Sequence, residues 1–255
     1  MKAKDRIIVA LDVDSPEKAI SLVWALAPYV GCFKIGLQLT YVMLKQMIFP
    51  SNEKEAIENL KTIRQLFGSI GPQLFWDTKL DDIPNTVIGV SQALAEMRVR
   101  MFNIHASCSI AAMMGAKENS GNALVLAVTV LTSLSEENAY LIFVAPSKAK
   151  VIQFARDAKL AGVDGIVCSP QELKILSQQK ELSGLIKVTP DIQPNWSVAG
   201  DQKRITTPAQ AIKDGADCLV IGRPITNPPE KIGSPVEAVK LIIEEITLAL
   251  KEVKR

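Results

Sequence analysis

Asp77, Lys79 and Asp82 stand in the order Asp-x-Lys-x-x-Asp at the end of a short apolar run, Leu74-Phe75-Trp76, just before Ile83-Pro84 and a helical pattern. Strand side chains alternate between two faces, so Phe75, Asp77 and Lys79 point one way and Leu74, Trp76 and Thr78 the other. An acid and a base then share a side, and Asp82 brings a second carboxylate within reach of the same ammonium. Neighbouring carboxylates favour a charged lysine while burial opposes it, so such a cluster fixes a protonation state. The same spacing also describes a solvated strand end, where most charged residues sit. What favours a site is the context: an apolar strand delivers its charges at its C-terminal end, ahead of a helix.

Other polar residues interrupt apolar runs in the same way. Ile7-Ile8-Val9-Ala10-Leu11 ends in Asp12, and Lys34 stands inside Cys32-Phe33-Lys34-Ile35, on the face it shares with Cys32. A lysine there either enters a site or snorkels to the strand end. Thr132 follows the run from Ala123 to Val130, and Gly222-Arg223 follows Cys218-Leu219-Val220-Ile221. Between Pro190 and Arg204 periodicity is lost, and a long polar loop inside a compact alternation is usually functional or disordered. His105, the only histidine, reads as a structural group at a strand end, so no histidine-based triad is expected.

The elements needed to position these residues can be counted. Buried runs predict eight strands, starting near residues 6, 32, 73, 101, 123, 164, 185 and 217, with helical patterns between them. Pro16 lies in the first turn of a helix capped by Asp14 or Ser15, with Ile20, Val23, Trp24 and Leu26 as its apolar face. After Pro84 the inward positions are Val87, Val90, Leu94 and Met97. Ser234-Pro235-Val236-Glu237 is a capping box opening a last helix that buries Val236, Val239, Ile243 and Ile246. Eight alternating units in 255 residues predict an α/β fold, a (β/α)8 TIM barrel in a single domain over residues 1–255. An open doubly wound sheet fits less well, since no Gly-x-Gly-x-x-Gly turn is present. In the barrel, Asp12, Lys34, Asp77, Lys79, Thr132, the 190–204 loop and Gly222-Arg223 all fall at C-terminal strand ends. Barrel enzymes keep their sites on that face. Gly222-Arg223 after the last strand suits a phosphate, through close backbone approach and a bidentate guanidinium.

Composition narrows the partners. Basic and acidic residues number 29 and 27, a net charge of +2, which gives no reason to expect nucleic acid or an anionic membrane. No apolar run approaches the ~18 residues of a membrane span. Cys32, Cys108, Cys168 and Cys218 form no Cys-x-x-Cys pair and read as free thiols of a reducing compartment. With no signal region at the start, a cytoplasmic protein is expected.

The stretch from Phe75 to Val87 resembles the signature of orotidine 5'-monophosphate decarboxylases, Phe-x-Asp-x-Lys-x-x-Asp-Ile-Pro-x-Thr-Val, at every specified position. The resemblance continues in order through Ala10-Leu11-Asp12, Phe33-Lys34-Ile35-Gly36, Val128 to Ser133, Thr189-Pro190, Gly200-Asp201-Gln202-Lys203-Arg204 and Ile221-Gly222-Arg223. It implies that Lys79 protonates pyrimidine C6 after loss of carbon dioxide, with Lys34, Asp77 and Asp82 completing a charged network. It further implies that Asp12 binds ribose, Thr132 the pyrimidine, and Gln202, Gly222 and Arg223 the phosphate end. Asp82 and Thr86 would reach the site of a neighbouring subunit in a homodimer. No cofactor and no metal is implied.

Two positions depart from the family pattern. Thr189-Pro190-Asp191-Ile192-Gln193-Pro194 stands where the family usually has Thr-Pro-Gly-Ile-Arg-Pro. The phosphate-contacting arginine is thus Gln193, and the carboxylate of Asp191 opposes a phosphate. Weaker phosphate binding is expected, or compensation by Lys203 or Arg204. Two alternatives stay open: a magnesium-dependent sugar-phosphate synthase or decarboxylase sharing the barrel and the Asp-x-Lys-x-x-Asp motif, and a non-catalytic phosphometabolite-binding barrel.

Overall fold

In the computed structural model, which describes residues 1–197 and 206–253, eight parallel strands close into one barrel. They are Ile7–Ala10 (β1), Cys32–Ile35 (β2), Leu74–Leu80 (β3), Met101–His105 (β4), Leu124–Val128 (β5), Gly165–Val167 (β6), Ile186–Thr189 (β7) and Cys218–Ile221 (β8). Each pairs with the next, and β8 closes on β1 with Val220 opposite Ile8. The (β/α)8 expectation holds, and each strand begins at the expected residue or one later. Gln202, Lys203 and Arg204 lie outside the described residues.

Strand alternation divides the core in two. Ile8, Ala10, Cys32, Phe75, Met101, Leu126, Val188, Cys218 and Val220 fill the barrel interior, while Ile7, Val9, Phe33 and Phe102 face outward beneath the helices. Because both faces are covered, the strands read as unbroken apolar runs. On β2 the interior face passes from Cys32 to Lys34 and on β3 from Phe75 to Asp77, so charge begins where the apolar plug ends. Lys34 and Asp77 are among the few buried charged residues.

The helices start where local chemistry dictates. Ser15 Oγ accepts from Lys18 N at 3.3 Å ahead of Pro16–Leu26. Ser234 and Glu237 exchange the two bonds of a capping box, 3.3 and 2.8 Å, ahead of Pro235–Val253. Gly162, at φ +75°, closes the helix Ser147–Leu160.

Several expectations need correction. Trp24 is 61% exposed; it lies a step around the helix from Ala19, Ile20, Val23 and Leu26, which fill the inner face, and its Nε1 donates to Ser69 Oγ at 3.0 Å. Met97 is the C-cap of Pro84–Glu96 and is also exposed, the chain leaving the helix before the side chain can turn inward. In the last helix Ile242 is fully buried, and Val236 and Ile243 only partly, because Ala238, Ile242 and Ala249 line the inner stripe. The helix Glu136–Phe143 is not legible as a periodic pattern, since it buries only Ala139. Residues 170–178 form a 3-10 turn, Pro170–Glu172, and a short helix, Leu173–Ser177. Gly222 is the N-cap of a one-turn helix, Arg223–Thr226. Among the described residues no helix is long and apolar enough to cross a membrane.

Candidate active site

The C-terminal mouth of the barrel opens on a cavity of ≈ 560 Å³ bordered by residues that follow most of the strands, Asp12, Lys34, Asp77, Lys79, Thr132 and Arg223 among them. Charge is laid across it as a chain. Lys34 Nζ lies 3.3 Å from Asp12 Oδ1 and 3.1 Å from Asp77 Oδ2, and Lys79 Nζ lies 2.6 Å from Asp77 Oδ1. Acid and base thus alternate from β1 to β3, each cation sharing an acid with the next.

Burial favours the neutral Asp77 carboxyl, but the Lys34 and Lys79 ammoniums, with hydrogen bonds from Lys79 and Asn103, outweigh it and hold the group below the usual carboxylate range. Asp77 is therefore a fixed anion at neutral pH. Lys79 remains a third exposed at its side chain, with Asp77 behind it and the cavity in front. A fixed ammonium at a cavity wall can stabilise negative charge developing on a bound molecule and then donate a proton to it.

The backbone at Lys79 departs from the strand. Its φ is +47°, the left-handed region that non-glycine residues enter at a cost, and the β3–β4 register shifts between Trp76 and Leu80. Alternation puts Asp77 and Lys79 on one side, and their contact spans this irregularity. Two residues are not singled out by the sequence pattern. Asn103 on β4 is 1% exposed, donates from Nδ2 to Asp77 Oδ1 at 2.6 Å, and accepts from Lys79 N at 2.7 Å. Its signal is an amide in the middle of Met101-Phe102-Asn103-Ile104. At Gly36 a Cβ would stand 3.0 Å from Lys34 Nζ and 3.4 Å from Asp12 Oδ1, so a side chain there would press on the ion pair.

Gln193 and Gly222 line the cavity with Thr132 and Arg223. Asp191 lines it too, at φ +60°. The backbone conformation that a glycine would adopt freely is therefore kept by an aspartate, one of the side chains that tolerates it. Asp82 and Thr86 are not among the lining residues; both are exposed, and Asp82 Oδ1 accepts from Ile83 N at 2.7 Å. His105 is also absent from the lining, and burial lowers its pKa against the opposing charge of Asp81. Burial pushes the Cys32 and Cys168 thiols up to about 12 and those of Cys108 and Cys218 up to about 11, leaving no thiolate for chemistry near neutral pH.

A family model described as orotidine 5'-phosphate decarboxylase / HUMPS family matches residues 5–241. The chain belongs to this family. Among orotidine 5'-phosphate decarboxylases, that of Syntrophomonas wolfei is 41% identical over 258 aligned residues, covering 96% of this chain and 99% of its own. That of Heliobacterium modesticaldum is 38% identical, covering 98% and 99%. The crystal structure of orotidine 5'-phosphate decarboxylase from Lactobacillus acidophilus superposes with a TM-score of 0.72 at 29% identity, covering 94% of this chain and 98% of that one. The orotidine 5'-phosphate decarboxylase / HUMPS family thus accounts for the barrel and for nearly its whole length.

Proposed function

We propose that this chain is a carboxy-lyase that converts orotidine 5'-monophosphate to UMP in pyrimidine biosynthesis, without a cofactor, and that Lys79 is its proton donor. The observation that carries the reading is the Lys79 ammonium, 2.6 Å from the buried Asp77 and facing the cavity, in a chain whose relatives bear that enzyme's name. When the C6–carboxylate bond breaks, its electron pair stays on C6. The ammonium beside it stabilises that charge and then protonates the carbon, and solvent restores the lysine's proton. Asp77, itself held by Lys34, orients the Lys79 ammonium, and it adds like charge beside the departing carboxylate.

Asp12 binds the ribose, Thr132 the pyrimidine, and Gln193, Gly222, Arg223 and Gln202 the phosphate end. Phosphate contacts far from C6 contribute binding energy that orients the ring. Both Asp77 oxygens are already engaged by Lys34, Lys79 and Asn103, which supports the metal-free reading over a magnesium-dependent sugar-phosphate enzyme.

The whole chain acts as one domain in the cytoplasm, as a homodimer in which Asp82 and Thr86 complete the partner's site. Supporting this, Ile83 is 66% exposed, and Leu37, Tyr41 and Met114, on segments that follow the flanking strands β2 and β4, are exposed apolar residues as well. Exposed apolar residues on neighbouring units of the barrel support an interface there.

The test is release of carbon dioxide and UMP from orotidine 5'-monophosphate in excess EDTA, in wild type and Lys79→Ala. Turnover that survives EDTA and falls at least on the order of 10³-fold in the variant is expected. A magnesium requirement favours the sugar-phosphate reading, and UMP binding without turnover favours a binding barrel.

A further inference from the structure

Between Trp76 and Leu80 the β3 chain runs over four residues while β4 runs from Phe102 to Ile104 over two, so Asp77, Thr78 and Lys79 are out of regular register. The ladder that would hold them is replaced by bonds to one residue. Asn103 Nδ2 donates to Asp77 Oδ1 at 2.6 Å, Asn103 Oδ1 accepts from Lys79 N at 2.7 Å, and Thr78 Oγ1 donates to the Asn103 carbonyl at 2.7 Å. Asn103 is itself 1% exposed and borders the cavity. We propose that Asn103 is a positioning residue: its side-chain amide clamps the Asp77–Lys79 irregularity and so sets where the Lys79 ammonium stands.

The two ends of the amide face groups of opposite hydrogen-bond polarity, a carboxylate and a backbone N–H. Asparagine serves both, leucine neither, and an ionised carboxylate only the second. Without the clamp, Lys79 N loses its acceptor at a left-handed backbone that non-glycine residues enter at a cost. The strand can then relax and carry the ammonium off its mark, and a misplacement of about 1 Å costs on the order of 10²-fold in rate.

The inference rests on the reading of Lys79 as proton donor, so the test has one arm that needs turnover and one that does not. For Asn103→Leu, kcat is expected to fall on the order of 10²-fold with KM nearly unchanged, because the substrate-binding residues lie elsewhere on the rim. For Asn103→Asp, the introduced carboxyl mimics the amide only while protonated. Its kcat is therefore expected to fall as pH rises through a new ionisation absent from wild type. A full kcat in Asn103→Leu, or a pH profile of Asn103→Asp parallel to wild type, overturns the proposal. In crystals of Asn103→Leu, Lys79 is expected to leave its positive φ and Nζ to leave Asp77. Both unchanged would equally overturn it. If Asn103→Leu does not fold, the near-isosteric Asn103→Asp at high pH serves for the crystal comparison. Should the wild type fail to turn over orotidine 5'-monophosphate, the proposed function falls, and the crystal arm still decides the role of Asn103.

Discussion

Lys34 and Asp77 meet at 3.1 Å across the β2–β3 pair, each with a side chain only about a tenth exposed, and Lys79 takes the other oxygen of the same carboxylate. One buried anion thus holds two cations. Its depressed pKa contributes stability that is present above the unfolded carboxyl value of 3.8 and is lost as pH falls through the lower folded value.

Replacing Lys34 by methionine should therefore destabilise the protein at neutral pH. The cost stays below the roughly 3–5 kcal/mol of a fully orphaned buried charge, since Lys79 still pairs with Asp77. Denaturant unfolding at pH 7 and in acid should show the penalty shrinking as Asp77 protonates. A penalty independent of pH would assign it to the packing of the lysine stem instead.

Asp191 and Gln193 both line the cavity, on the proposed reading at its phosphate end. Gln193→Arg should tighten UMP and inorganic phosphate binding about 10- to 100-fold, the value of a hydrogen bond to a charged group of roughly 1.5–3 kcal/mol. Asp191→Gly should also tighten binding and leave the melting temperature nearly unchanged, because relief at φ +60° is offset by the freer unfolded chain. Asp191→Ala should lose about 1 kcal/mol, having the backbone strain without the local bonding of an aspartate. Calorimetric titration and thermal melts check both, and unaltered phosphate affinity in Gln193→Arg would place the phosphate elsewhere.

Glu172, behind β6, is buried, and its Oε2 accepts from Ser169 N at 2.9 Å. Burial pushes its carboxyl up to about 7 from 4.5. The folded state therefore binds a proton that the unfolded state has released, and the contribution to stability is full below 4.5 and lost as pH rises through about 7. Each pH unit between those two values is worth about 1.36 kcal/mol, so the loss is about 3 kcal/mol at most. Glu172→Gln should remove this slope and exceed the wild type in stability at alkaline pH; equal slopes in urea unfolding across that range would contradict it.

The proposed sharing of sites between subunits predicts complementation. Mixed after unfolding and refolding together, inactive Lys79→Ala and Asp82→Asn chains should form hybrids in which one of two sites is intact, restoring roughly a quarter of wild-type activity. No recovery in hybrids shown to form would place Asp82 in its own chain's site or outside any site.

Sequence alone established the barrel and most of the rim, for one physical reason. Strands covered on both faces must be apolar throughout, so each strand announces itself as a run, and Lys34, Asp77 and Asn103 stand out against it. Lys34 and Asp77 could be taken as site residues on that contrast; the Asn103 amide was visible but had no partner within the local pattern. Helix caps were legible too, since Ser15 and Ser234 bond within their own first turn.

What only the tertiary structure decided depends on contacts between distant segments. The β3–β4 register shift, the left-handed backbone of Lys79 and the seat of its ammonium go together with bonds between residues about 25 apart in the chain. Whether Trp24 turned inward was settled by which side of its helix met the barrel. Asp191 takes the conformation natural to glycine, and, two residues on, the backbone N–H of Gln193 donates to the distant Thr206 carbonyl. Periodicity reports each residue's own face, whereas the bonds that meet Asp77 and Lys79 come from the neighbouring strand.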